Sequence, residues 1–215
     1  MTKIYLSPSS QFGNTYSYGG YNEAQVCGLI AQHAYDALKR NGFDVKLGSI
    51  NKSMEYRTKE SNDWGADYHV PIHTNAGGGQ GTVVFAWHSS VNDKYVKAVY
   101  NALAALSPGK DRGIKEYDAL YEINMADGVT IYVEAEFHDN ADLAKWIVEN
   151  VEQLGEAIAK GFCEAEGKAY IAKTPAKGDK MYYVQTGAFT VKEYAEAQLK
   201  EVKAAGFKDA YIKTA

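Results

Sequence analysis

The sequence predicts an α/β fold: a twisted, mostly parallel sheet flanked by helices, followed by a small C-terminal β-α-β segment. Three observations carry this. Short apolar runs alternate with stretches of helical periodicity from Ile4 to about residue 166. Capping and stop residues bound several of the helical stretches. Across 215 residues, 46% are apolar and 23% charged, an ordinary globular composition that excludes disorder, collagen and coiled coil.

Ile4-Tyr5-Leu6 forms a first strand, stopped by Ser7-Pro8-Ser9-Ser10. After a polar loop, Val26, Leu29, Ile30, Ala34, Ala37 and Leu38 recur at helical spacing. Asn22 caps that helix, and Asn41-Gly42 ends it. Phe43, Val45 and Leu47 alternate with polar residues, as in a half-buried strand. Met54 to Trp64 reads as a helix, Tyr68 to His73 as a strand and Thr82 to Trp87 as a further β-rich run. Asn92 to Leu106 is helical and stops at Ser107-Pro108-Gly109. Ile114 to Asn124 suits a short strand pair, and Val129 to Phe137 a strand. One long helix is expected from Asn140, its cap, to about Glu166, with Leu143, Ile147, Val151, Leu154, Ile158 and Phe162 inward.

Residues 167–180 hold four Lys and one Pro without apolar periodicity, which reads as a linker. Beyond it, Met181–Gly187 reads as a strand. Thr190 and Glu193 have capping-box spacing before a helix carrying Ala195, Leu199 and Val202 and ending at Gly206. Asp209–Lys213 reads as a last strand. The expected organisation is 1–166 as a catalytic-type domain, 167–180 as a linker and 181–215 as a small segment.

The formal charge of −4 gives no support to nucleic-acid binding through a basic surface. Two cysteines, Cys27 and Cys163, are too few for a disulfide framework and read as buried thiols. No run of about 18 apolar residues is present, so no membrane span is expected. The opening Met1-Thr2-Lys3-Ile4-Tyr5-Leu6-Ser7-Pro8 lacks the apolar core of a signal peptide. An extracellular role would then imply release by lysis, another export route, or a leader already removed.

In an open α/β sheet, ligands bind beyond the carboxyl ends of the strands. Ser7, Ser9, Ser10 and Gln11 follow the first strand, His73 ends a later one, and Glu134 and Glu136 lie on the strand before His138. Glu23 opens the first helix and reaches toward the same edge. One histidine, several carboxylates and a glutamine suit a zinc site that keeps one position for water. The same residues equally suit a helix N-terminus favoured by Glu23 and a hydrogen-bonding histidine at a strand end. His69 shares a strand face with His73, about 13 Å back along the strand, and reads as packed within the sheet. His33 and His88 read as structural or exposed. There is no Gly-x-Ser-x-Gly elbow, and Gly77–Gly81 lacks the Gly-Lys-Ser/Thr ending of a P-loop.

The first 166 residues resemble the zinc-dependent N-acetylmuramoyl-L-alanine amidases. The resemblance rests on Asn22-Glu23, on Gly65-Ala66-Asp67 with Ile72-His73-Thr74-Asn75-Ala76, and on Val133-Glu134-Ala135-Glu136-Phe137 followed by Asn140. It implies zinc held by Glu23 and His73, with Glu134 as catalytic base, and cleavage between N-acetylmuramic acid and L-alanine of the peptidoglycan stem. One block departs. Where the family has Asp-Pro-Gly-His, this chain has Ser7-Pro8-Ser9-Ser10, so Ser10 stands where a zinc-binding histidine is usual. Gln11 beside it can offer a neutral amide oxygen instead. Glu136 replaces a usual glycine, and by strand alternation it shares a face with Glu134 and His138, which makes His138 an accessory candidate.

Tyr183-Val184-Gln185-Thr186-Gly187-Ala188-Phe189, with Ala204-Ala205-Gly206-Phe207 and Ala210-Tyr211-Ile212, resembles the start of a SPOR domain. That family binds peptidoglycan glycan strands, and half of its β-α-β-β-α-β fold is expected here. The combined expectation is a zinc-dependent wall amidase, an autolysin or phage endolysin. The alternative is a catalytically silent wall-binding or regulatory protein that has lost a zinc ligand.

Overall fold

The computed structural model describes residues 1–109, 111–174, 186–207 and 210–212. They divide into two compact units, Met1–Lys173 and Thr174–Ala215.

The first unit runs β1 (Lys3–Pro8), α1 (Glu23–Arg40), β2 (Asp44–Leu47), α2 (Met54–Trp64), β3 (Tyr68–Asn75) and β4 (Val83–Ala86). It continues with α3 (Lys94–Ala104), β5 (Ile114–Glu116), α4 (Tyr121–Met125), β6 (Val129–Thr130), β7 (Tyr132–Phe137), α5 (Ala141–Glu149) and α6 (Val151–Glu166). The sheet order is β2-β1-β3-β7-β4-β5, with β6 also paired to β3. The β2, β1, β3, β6 and β7 strands are mutually parallel, while β4 is antiparallel to β7 and parallel to β5. The α/β sheet expected from the sequence is thus present, with its last two strands reversed.

Alternation along the strands separates two chemistries. Ile4, Leu6, Val70, Ile72, Val133 and Val84 face the core, where α6 packs against α1 and α3. Val26, Ile30, Ala34 and Leu38 of α1 are buried there, while Leu29 is exposed. Close approach of these helices requires glycine. A Cβ on Gly155 would stand 2.6 Å from Ala34 N, and one on Gly161 2.5 Å from Val99 Cα. The opposite face carries Tyr5, Ser7, His69, His73, Tyr132 and Glu134, on the side where α2 and α4 pack together.

Two expectations change here. The strand pair expected over Ile114–Asn124 is β5 followed by the short helix α4, whose turn buries Glu122 and Ile123. The single helix expected from Asn140 to Glu166 breaks at Asn150 (φ −121°, ψ 20°). The Asn150 side-chain amide donates to Trp146 O at 2.8 Å, a local bond that competes with helix continuation. Asn140 caps α5 as expected, accepting from Asp142 N and Leu143 N. The start of the segment read as a linker is tied down: Ile171 N donates to Asn41 Oδ1 at 2.7 Å, and Lys173 pairs with Glu152 at 2.8 Å.

In the second unit, α7 (Lys192–Ala204) half-buries Ala195, Leu199 and Val202. Val191 occupies the N-cap position and no side chain caps the helix, so the expected Thr190–Glu193 box is not formed. Thr190 lies one residue too early for that role. The strand expected at Met181–Gly187 lies largely outside the described residues, and Ala210–Ile212 of the last expected strand carry no strand pairing.

Candidate active site

The site grows from three neighbouring strands and one helix end. Pairing of β1, β3 and β7 brings the ends of these strands side by side, and His73 and Glu134 are direct Cα partners. Asn22 and Gln25 form a capping box that sets the first turn of α1. Glu23, in that turn, is 1% exposed and is aimed inward. Its Oε1 lies 2.8 Å from His73 Nδ1, and its Oε2 accepts from Asn14 Nδ2 at 2.7 Å. The Gln11 amide nitrogen lies 3.3 Å from the same Nδ1, and Gln11 Oε1 accepts from Asn14 at 2.8 Å. Glu23, His73 and Gln11, three candidates from separate parts of the sequence, therefore meet at one imidazole nitrogen.

Charge inside this pocket is set by burial and by neighbours. Burial pushes the Glu134 carboxyl up to about 7; His73 pulls it down and Glu23 pushes it further up. Its Oε2 is buried without a hydrogen-bond partner. Burial draws His73 down, but the Glu122 and Glu23 carboxylates outweigh that and raise it to about 9. Burial raises Glu23, yet its bonds to His73, Asn14 and Ser9 leave it below the usual carboxylate range. Tyr132 stacks on the His73 ring at 4.8 Å, fixing its plane.

A buried group behind the histidine was not singled out by the sequence. Glu122 is 2% exposed, accepts from Ser7 Oγ, and lies 3.1 Å from His69 Nε2 and 3.9 Å from His73 Nε2. Ser7 Oγ in turn accepts from the buried Arg57 Nε at 2.9 Å. Burial raises Glu122, but His69, His73 and Ser7 more than offset it and hold the carboxyl at about 2. Glu122 thus stands on the far side of the His73 ring from Glu23. Its only sequence signal was an acid inside an apolar stretch, Leu120-Tyr121-Glu122-Ile123, read there as strand.

The accessory candidates lie elsewhere. Glu136 does not share a face with Glu134 as alternation implied. The register shifts between His73 and Asn75, so that Asn75 pairs with Phe137, and Glu136 takes φ 63°. That bulge removes one residue from the alternation. The Glu136 carboxylate accepts from Gly81 N at 2.6 Å, Gly109 N at 2.8 Å and Ser107 Oγ, joining two loops. His138 Nδ1 sits 3.0 Å from Thr74 Oγ1 with its ring stacked on Tyr16. No hydrogen bond among the described residues ties the Ser10 side chain to Glu23, His73 or Glu134. Cys27 is buried and burial pushes its thiol up, so it is an inert wall of the pocket.

The N-acetylmuramoyl-L-alanine amidase family model matches residues 9–164, nearly three quarters of the chain. The chain belongs to this family. A SPOR domain model matches residues 139–214, beginning inside the amidase span. The chain is 28% identical over 218 residues to the N-acetylmuramoyl-L-alanine amidase CwlM of Bacillus licheniformis, covering 96% of this chain and 83% of that protein. The sporulation-specific N-acetylmuramoyl-L-alanine amidase of Bacillus subtilis (strain 168) matches with the same identity and coverage. Among solved structures, the amidase AmiC2 of Nostoc punctiforme is similar in fold, with a TM-score of 0.69 at 19% identity over 78% of this chain and 98% of that one. The catalytic domain of the CD27L endolysin, which targets Clostridia difficile, gives 0.63 at 21% identity over 78% and 98%.

Within this family the departure at Ser10 acquires a geometry. Among the described residues no group of three or more His, Cys, Asp and Glu gathers as a metal site. Glu23 and His73 supply two such groups, and the Gln11 amide nitrogen lies beside them. No helix among the described residues is long and apolar enough to cross a membrane.

Proposed function

We propose that this amidase-family chain hydrolyses the amide between the lactyl group of N-acetylmuramic acid and L-alanine in peptidoglycan, with Glu134 as general base and then acid. The observation that carries this reading is Glu134 itself, a carboxyl poised near neutrality by burial, with one oxygen unpartnered, opposite His73. A group with that proton affinity can take a proton from water at neutral pH and return it. As water attacks the carbonyl carbon, Glu134 accepts its proton. The C–N bond then breaks, and Glu134 passes the proton to the departing amine. The products are the muramic acid carboxylate and a free L-alanine amino terminus.

The residues around His73 fit a bound zinc. A single ring nitrogen cannot both donate to the Glu23 carboxylate and accept from the Gln11 N–H, yet Nδ1 meets both. A cation there removes the conflict. The imidazole lone pair and a carboxylate oxygen both donate electron pairs to it. So does the Gln11 carbonyl once the amide is turned, at the loss of its Asn14 contact; nitrogen and oxygen of an amide are assigned from such networks. His73, Glu23 and Gln11 would hold the metal, with the Glu122 carboxylate behind the ring 3.9 Å from Nε2. Zinc bound there would polarise the amide carbonyl and lower the pKa of an attacking water.

The SPOR-like residues 181–215 are proposed to add affinity for glycan strands, so that action is directed to the cell wall. The division into 1–166, 167–180 and 181–215 belongs to this proposal. One observation favours a second reading, a silent wall-binding or regulatory protein: Ser10 brings no imidazole to the site, and Gln11 is a weaker, neutral donor. Metal analysis with activity decides between them. Zinc near one equivalent, and amino termini released from purified peptidoglycan until a chelator is added, support the enzyme. Binding to peptidoglycan without release, at any metal load, supports the silent protein.

A further inference from the structure

Beyond the carboxyl ends of β3 and β7 lies an open cleft of about 540 Å³. Gly78–Gln80 after β3, Asn140 before α5, and Asp111, Arg112 and Lys115 near the start of β5 line it. Ladder register decides which face of the sheet these cations serve. Glu134 pairs with Val83 and Tyr132 with Phe85 across β7 and β4, and Phe85 pairs with Lys115 across β4 and β5. Directly paired residues share a sheet face. Lys115 therefore stands on the face of Tyr132, His73 and Glu134, two strands from β7. Beyond the bulge, Asn75 pairs with Phe137, and the Arg112 guanidinium lies 5.2 Å from the Phe137 ring centroid. Arg112 is thus at the same edge.

Both cations are exposed, and neither has a carboxylate partner among the described residues. Asp111, the one acid in the lining, accepts instead from Gly113 N at 3.4 Å. Two free cations flank a centre whose own ionised groups include Glu23 and Glu122, so the cleft favours an anionic portion of a ligand whose neutral amide sits at Glu134. Spacing agrees. Two strand steps of about 4.8 Å separate Lys115 from β7 by roughly 10 Å. An extended peptide covers that in about three residues.

We propose that Arg112 and Lys115 form an anion subsite for free carboxylates of the stem peptide, two or three residues beyond the scissile amide. This rests on the amidase reading. The test compares soluble muramoyl-peptides that carry free carboxylates on the second and third stem residues with the same peptides amidated at both. Wild-type protein hydrolyses both and favours the free acid about tenfold in kcat/KM, mainly through KM, as expected for losing one charge-assisted hydrogen bond. The Arg112→Gln/Lys115→Gln double variant brings that ratio close to one, and Arg112→Lys retains most of it because the charge stays. Release from neither peptide by wild-type protein overturns the amidase reading. Equal kcat/KM for the two peptides, or a preference that survives the double substitution, overturns the subsite alone.

Discussion

His73 and Glu134 face one another across the β3–β7 ladder, the last directly opposed pair before the register shifts. Strand pairing, rather than a loop, sets this relationship, so it is as rigid as the sheet. It puts a carboxyl and an imidazole on one face while Ile72 and Val133, one residue back, lock the same two strands into the core.

Glu122 places its charge behind His73, with Oε2 3.9 Å from a ring Nε2 that has no hydrogen-bond partner. Glu122→Ala leaves the buried Arg57 and Ser7 without their acid and is expected to destabilise the fold by about 3–5 kcal/mol. Glu122→Gln keeps shape and some hydrogen bonding, so it folds, but it removes the negative charge behind the His73 ring and so weakens zinc binding. Chemical denaturation measures the first and competition with a chromophoric chelator the second. Unchanged zinc affinity in Glu122→Gln would remove that electrostatic role.

Glu136 combines strain with anchoring. Its φ of 63° costs about 1–3 kcal/mol for a non-glycine residue. Its three hydrogen bonds hold the Gly81 and Ser107–Gly109 loops. Glu136→Ala keeps the strain and loses the bonds, whereas Glu136→Gly loses both. Thermal melts should therefore rank wild type above Glu136→Gly, and Glu136→Gly above Glu136→Ala by about 1 kcal/mol.

Metal-free protein should lose stability as pH rises from about 4.5 to about 9. The folded chain keeps a proton on Glu134 up to about 7, while the unfolded chain releases it near the ordinary 4.5, so stability falls across that window. His73 is held at about 9 against 6.5, so its contribution is complete below 6.5 and is lost as pH passes through about 9. Denaturation at a series of pH values checks this. Glu134→Gln should flatten the lower part of the slope and His73→Gln the upper part.

Packing of α6 on α1 should tolerate no side chain at Gly155. Its Cβ would press on Ala34 N at 2.6 Å and on His33 Cβ at 2.6 Å, where backbone must move. Gly155→Ala is expected to cost about 1–3 kcal/mol, read by denaturant titration.

Much of this was legible in the sequence because the relevant signals are local. Asn22 at the start of the first helix, the strands through Ile72 and Val133, and the stop at Asn41-Gly42 each depend on a few neighbouring residues. Gln11 could be nominated because it adjoins the position where a histidine was expected. What failed depended on tertiary context. The bulge at Glu136 arises from pairing with β3, and alternation along β7 alone cannot reveal it. Asn150 splits a helix whose apolar stripe runs on unbroken, because one side-chain bond to Trp146 O outweighs continuity. Glu122 became visible only when α4 turned it toward His69 and His73, two residues more than 45 positions away in the chain. Arg112 and Lys115 look like ordinary surface cations until the β4–β5 register puts Lys115 on the face of Glu134 and the Phe137 ring places Arg112 at the same edge.

In the proposed reaction Glu134 moves the proton during cleavage of the lactyl amide. The most direct measurement is the release of L-alanine amino termini from purified peptidoglycan by wild-type protein and by Glu134→Gln at equal zinc content. Steady release by the wild type is expected, with a loss of about 10²–10⁴-fold in the variant and its melting temperature kept or raised because the carboxyl is buried without a partner at Oε2. A folded, zinc-loaded Glu134→Gln protein that releases L-alanine termini at the wild-type rate would contradict it.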